Sequence, residues 1–98
     1  MKYTLYLQTV AIQDIQEAYD WYESQKTGLG YTFMAAVGEA LALIEQNPLV
    51  FVKVYKEKRR AVLQKFPYNI IYVVEEDLIR VSAVVHGKQD PDKWQKKK

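Results

Sequence analysis

The stretch Asn69-Ile70-Ile71-Tyr72-Val73-Val74-Glu75 decides how the rest of the chain is read. Its β-branched and aromatic residues predict a strand. Both faces of that strand are apolar, with Ile70, Tyr72 and Val74 on one and Ile71 and Val73 on the other. A strand of this kind lies centrally in a sheet, covered on both sides or on one side by something outside the chain. Downstream, Glu75-Glu76-Asp77 turns into Leu78–His86, where Ile79, Val81, Ala83 and Val85 alternate with Leu78, Arg80, Ser82, Val84 and His86. Upstream, Pro67 interrupts the pairing. Phe51 to Tyr55 and Arg60 to Lys65 read as two further strands, joined by the polar turn Lys56-Glu57-Lys58.

The period changes in the first half. Tyr3 to Gln8 alternates strictly, as a half-buried strand does. Thr9 follows as an N-cap, and Ile12, Ile15, Tyr19 and Tyr22 then recur at helical spacing. Asp14, Glu17 and Glu23 fall off that stripe and are assigned to its solvated face. Gly28-Leu29-Gly30 breaks the helix. A second stripe (Phe33, Val37, Ala40, Leu41, Ile44) runs to Asn47-Pro48, where the residue before proline is steered out of the helical region. The expected fold class is α+β: an N-terminal strand, a helical hairpin, then a mainly antiparallel sheet of three or four strands. Two short helices cover one face of that sheet. The expectation is an open apolar strip on the other face, with Ile70, Tyr72 and Val74 assigned to partner binding, flanked by Arg60, Arg80 and His86.

Composition narrows the function classes. Ninety-eight residues, 49% hydrophobic and 27% charged, suit a single globular domain spanning 1–98, with a polar tail from 88 onward. No apolar run approaches the roughly 20 residues of a membrane span, and a cytoplasmic protein is expected. With no cysteine and a single histidine, thiolate and histidine-rich metal sites are excluded, and no cofactor is expected. The net charge of +2 is unevenly placed: residues 1–47 carry −4 and residues 48–98 carry +6. Six bases and one acid lie between Lys53 and Lys65. That segment is either a solvated face or the meeting point for something anionic, nucleic acid or an acidic protein segment.

The run Arg59-Arg60-Ala61-Val62-Leu63-Gln64-Lys65-Phe66-Pro67-Tyr68-Asn69-Ile70-Ile71-Tyr72-Val73-Val74 resembles the hallmark of the RelE/ParE toxin superfamily, a basic strand leading through Phe-Pro-Tyr into x-Ile-x-Tyr. Val81 to Pro91, with Trp94 after it, is similar to that family's Val-x-x-Val-x-His-x-x-Arg-Asp-Pro close. Ala18-Tyr19-Asp20-Trp21-Tyr22, Gly28-Leu29-Gly30-x-x-Phe33 and Asn47-Pro48 match in the same order. The resemblance implies the toxin of a type II toxin–antitoxin (plasmid-stabilisation) system, held in a hetero-oligomer by an antitoxin whose acidic C-terminal segment folds onto it. Phe66-Pro67-Tyr68 and the hairpin lean toward the ParE-like branch, which binds and inhibits DNA gyrase and needs no catalytic groups. The alternatives are a RelE-like ribosome-dependent endoribonuclease cutting messenger RNA, and a non-toxic remnant that only binds antitoxin.

Within the resemblance, two family arginines fall on Asn69 and Gln89. Amides carry no charge to stabilise a phosphorane. Under the ribonuclease alternative the catalytic set is His86, Arg60 and Arg80, since imidazole moves protons near neutral pH and guanidinium groups clamp phosphate. His86 equally suits a strand-closing role, and Arg59 and Arg60 a charge-blunted sheet edge. Target or nucleic-acid contacts are assigned to Lys53, Arg59, Lys65, Lys88 and Trp94. Trp94 either stacks on a base or antitoxin side chain or tacks the tail to the sheet.

Overall fold

A computed structural model describes residues 2–87. The alternation near the start gives β1 (Thr4–Leu7), and the two helical stripes give α1 (Thr9–Gln25) and α2 (Leu29–Gln46). Four strands follow: β2 (Lys53–Tyr55), β3 (Lys58–Val62), β4 (Tyr68–Glu75) and β5 (Leu78–His86). They form one five-stranded sheet in the order β1-β5-β4-β3-β2. The last four strands pair antiparallel, and β1 joins the edge parallel to β5. This is the α+β arrangement expected, with β4 central as its two apolar faces require.

The hairpin sits on one face of the sheet. Phe33, Val37, Ala40 and Ile44 of α2 pack with Ala11, Ile15 and Ala18 of α1 over Ile70, Tyr72, Ile79, Val81 and Val84. The alanines carry the buried face of α1, and Ile12 points outward, 53% exposed, where the stripe of larger apolar residues places it inward. Thr9 is the first helical residue rather than a cap; Gln8 takes the N-cap position and forms no side-chain cap bond. Glu23 is not a solvated acid either. Its carboxylate accepts the backbone N–H of Gly28 at 3.0 Å and of Gly30 at 2.9 Å. It thereby caps α2 from the preceding helix, supplying negative charge at that helix's N-terminus. Both glycines follow from this geometry. Gly28 has φ +92, and a Cβ on Gly30 would come within 2.8 Å of Glu23 and Tyr19.

The Phe66-Pro67-Tyr68 corner is built into the core. The rings of Tyr22, Phe33, Phe66 and Tyr68 meet with centroids 4.9–6.1 Å apart. Around Pro67 the backbone closes tightly: Tyr68 N–H donates to Phe66 O at 2.8 Å, and Gly87 N–H to Pro67 O at 2.6 Å. The corner thus joins β3, β4 and the end of β5.

Two expectations about faces are corrected here. Ile70 and Tyr72 are fully buried beneath the helices and Val74 packs against the same core, so these three do not form an open strip. Tyr72 shows why its face turns inward: its hydroxyl donates to Pro48 O at 2.6 Å, directly after α2. The opposite face is no bare strip either. Ile71, Ala83 and Val85 form a smaller buried cluster against which Val54 and Tyr55 pack. These two neighbours in sequence reach one cluster because β2 shifts register between Lys53 and Tyr55.

The second correction concerns β5. Ile71 pairs with Ala83 and Tyr72 with Val81, leaving Ser82 as an extra residue on β5. Its hydroxyl donates to Ile71 O at 3.3 Å, and the residue is 2% exposed. One added residue in a structure of period two reverses the alternation beyond it. Ile79 and Val81 point into the main core before the bulge, and Val84 does so after it. Arg80 and His86 therefore lie on opposite faces of the sheet, not on one.

The Tyr72–Pro48 bond ties the end of α2 to the central strand. Tyr72→Phe removes the donor and leaves a buried carbonyl without it, so the unfolding free energy should fall by about 1–3 kcal/mol. Urea denaturation measures the loss; an unchanged midpoint would show that the bond contributes nothing.

Candidate functional site

The basic segment lies on the β2–β3 hairpin and the β3–β4 connection, and its cations have different surroundings. Lys53 pairs with Glu57 at 3.1 Å across an exposed turn, an interaction worth at most about 1 kcal/mol. Lys56 sits 5.4 Å from the ring centre of Tyr55. Arg59 faces inward and is structural: one guanidinium nitrogen donates to Leu49 O at 3.1 Å and Phe51 O at 2.6 Å, pinning the loop after α2. It lies beside Tyr72, whose hydroxyl burial pushes up to about 12, with Arg59 opposing the shift. Arg60, by contrast, is exposed on the outer face opposite Ile71. Lys65 is exposed at φ 70 in the link to the Phe-Pro-Tyr corner.

The three residues assigned to catalysis are not brought together. Arg80 lies on the outer face between Tyr6 and Val73. It donates to both Glu75 carboxylate oxygens, at 3.3 and 3.2 Å, and to Gln8 Oε1 at 2.9 Å. Those bonds hold the Glu75 carboxyl below its ordinary range and raise Arg80 above its own. Arg80 thus ties the junction between β1 and α1 to the β4–β5 hairpin. His86 is on the helix side, paired across the strands with Tyr68, their rings 5.2 Å apart. It lines one hollow with Asp14, Glu17 and Trp21 of α1. Asn69 is half-buried between Val62 and Val85. Lys88, Gln89 and Trp94 lie outside the described residues. Among the described residues no group of His, Asp and Glu side chains is arranged to hold a metal.

Apolar surface instead gathers on the flanks of the hairpin, which the stripe-by-stripe reading missed. One hollow of about 500 Å³ lies between α1 and α2, lined by Ile12, Ile15, Tyr19, Tyr31 and Met34. Tyr31 is 70% exposed there. A second, of about 470 Å³, lies between α2 and β3 and is lined by Ala36, Ala40, Leu43 and Val62, with Glu39 and Lys65 beside them. The signal was present: Met34 and Leu43 make α2 apolar well outside its core stripe, and a helix apolar on several sides expects more cover than one sheet provides. No helix among the described residues is long and apolar enough to cross a membrane.

Residues 5–91 match the ParE toxin of type II toxin-antitoxin systems, parDE. The chain belongs to the ParE toxin family. It is a ParE-type toxin of a type II toxin–antitoxin system within the RelE/ParE superfamily. No curated protein matches it. Among solved structures it is similar to a chain of the chromosomal ParDE toxin–antitoxin system of P. aeruginosa, with TM-score 0.78, 15% identity, and 87% of this chain and 96% of that one covered. It is also similar to a chain of the toxin–antitoxin complex RelBE2 of Mycobacterium tuberculosis, with TM-score 0.62, 17% identity and coverage of 88% and 99%. A third likeness is to the archaeal RelE–RelB complex of Pyrococcus horikoshii, with TM-score 0.52, 13% identity and coverage of 92% and 100%. At these identities the shared property is the fold. In this ParE toxin the Phe-Pro-Tyr motif is accounted for as the aromatic corner that locks the sheet to the hairpin.

The Arg80–Glu75 contact has a pH signature. A carboxyl whose folded value is lowered contributes stability above its unfolded value and loses it as pH falls through the ordinary carboxylate range. The melting-temperature gap between the native toxin and Glu75→Gln should therefore be widest near neutrality and close on acidification. A gap that stays constant with pH would contradict the assignment.

Proposed function

We propose that this ParE toxin acts in the cytoplasm by binding and inhibiting DNA gyrase, and is neutralised in a hetero-oligomer with a cognate antitoxin of a plasmid-stabilisation type. The carrying observation is the dispersal of the groups a ribonuclease would need. Cleaving RNA through its 2′-hydroxyl requires a base, an acid and a fixed cation converging on one phosphate. Here Arg60 is on the outer face, Arg80 is bonded to Glu75 and Gln8, and His86 faces α1 on the other side. A protein inhibitor needs only shaped surface, and this molecule has it in the apolar hollows beside α2.

The solved structures it resembles are those of toxin–antitoxin complexes, which supports an antitoxin as the resident partner. The antitoxin's apolar side chains would cover the exposed surface of α2. Its acidic residues would pass Lys53, Arg60 and Lys65, three of the exposed cations of the basic segment. The area available on the hairpin flanks, rather than the closed outer face of the sheet, supports this placement.

The test is a supercoiling assay with purified gyrase. The toxin should block supercoiling, its antitoxin should restore it, and His86→Ala and Arg60→Ala should retain the block. Ribosome-dependent messenger RNA cleavage abolished by His86→Ala, or absence of any growth arrest on induction, would overturn the reading.

A further inference from the structure

The two edges of the sheet are built differently. At the β2 edge Lys53 and Arg60 carry charge and the register shifts between Lys53 and Tyr55, both of which discourage further strand pairing. The other edge among the described residues is β1, Thr4-Leu5-Tyr6-Leu7. It holds no charge and no proline, and its pairing with β5 runs without a shift. Thr4 and Gln8 donate their N–H groups to Asp77 O and Val81 O, both at 2.9 Å. Backbone direction alternates along a strand, so Leu5 and Leu7 aim their N–H and C=O groups out of the sheet. The flank beside this edge is apolar. Leu7 is one wall of the hollow of about 500 Å³ between α1 and α2, whose lining residues, Ile12, Tyr31 and Met34 among them, include no charged side chain. On the outer face Tyr6 is 41% exposed.

We propose that β1 pairs with β1 of a second copy of this chain, antiparallel about a two-fold axis at Tyr6. In that register Leu5 of each copy lies opposite Leu7 of the other, and each pair exchanges both backbone bonds. Every outward donor of the strand then meets an acceptor, the self-complementarity that a two-fold contact requires. The two Tyr6 side chains meet as a close cross-strand pair, and the hollows beside Leu7 are brought to the same seam. Charge selects this occupant. A two-fold sets a surface against itself, which suits an uncharged edge and disfavours the basic one. The acidic antitoxin segment proposed above is drawn instead to Lys53, Arg60 and Lys65 on the β2–β3 side, where the hollow between α2 and β3 stays open to it.

The experiment combines sedimentation of the full toxin chain, free of antitoxin, with amide hydrogen exchange. The toxin should sediment at twice the mass of the chain and dissociate on dilution. In the dimer the Leu5 and Leu7 amides should exchange slowly, and dilution should speed them while the Gln8 amide, bonded to Val81 O, stays protected. Tyr6→Lys sets two cations together on the axis and should raise the dissociation constant by about five-fold or more. Slow exchange at Gln8 in that variant shows that it is folded. A single-chain mass at every concentration, a dimer whose Leu5 and Leu7 amides exchange freely, or a dimer unchanged by Tyr6→Lys would overturn the proposal. So would protection of those amides only after antitoxin is added, which would assign the edge to that partner. None of these outcomes depends on gyrase inhibition.

Discussion

One surplus residue, Ser82, sets which way the end of β5 faces, and much of the molecule follows from it. Before the bulge, Ile79 and Val81 fill the core and Arg80 points away; after it, Val84 fills the core and Ala83 and Val85 point away. Without it, Val84 and His86 would continue on the Arg80 face and Val85 would take the place of Val84. The bulge is tolerated because its hydroxyl has an acceptor in Ile71 O and because β1 pairs only with Leu78–Val81. Beyond that point α1 takes over from β1, and Asp14 satisfies the N–H of Val84. Bulges are a known means of re-aiming side chains near functional surfaces.

The helical hairpin is secured at its connections as much as by apolar packing. Glu23 caps α2 across the glycine turn, Arg59 holds the carbonyls of Leu49 and Phe51, and Tyr72 holds that of Pro48. Together the last two contacts dock the loop leaving α2 onto the inner face of the sheet. This fixes the flanks of α2, where Tyr31, Met34 and Leu43 remain exposed, as rigid surface. A preorganised apolar surface loses little entropy on binding, which suits the docking role proposed for it.

The order of elements was legible from the sequence because its signals are local. Period two at Tyr3–Gln8, helical spacing in the two stripes, Gly28 and Pro48 as breaks, and a doubly apolar β4 each depend on neighbours in the chain. What escaped depends on contacts far apart in sequence. Whether Ile70 or Ile71 faces the helices is symmetrical in the pattern and is resolved only by Tyr72 finding Pro48. An alternating strand gives no sign of a bulge when every residue near it is small or β-branched, as Val81, Ser82, Ala83 and Val84 are. Asp14, Glu23 and Arg59 look like ordinary surface charges until the backbone groups they satisfy are brought to them by the fold. The three residues separate for the same reason: Arg60, Arg80 and His86 share a face only if β5 alternates without interruption.

The most direct measurement is of proton–proton contacts from the His86 ring by NMR. The account requires nuclear Overhauser effects from that ring to Tyr68 and to Trp21 or Glu17 of α1, with none to the side chains of Arg60 or Arg80. Contacts between the imidazole and either guanidinium would show an unbulged β5, reassemble the catalytic set and contradict the account.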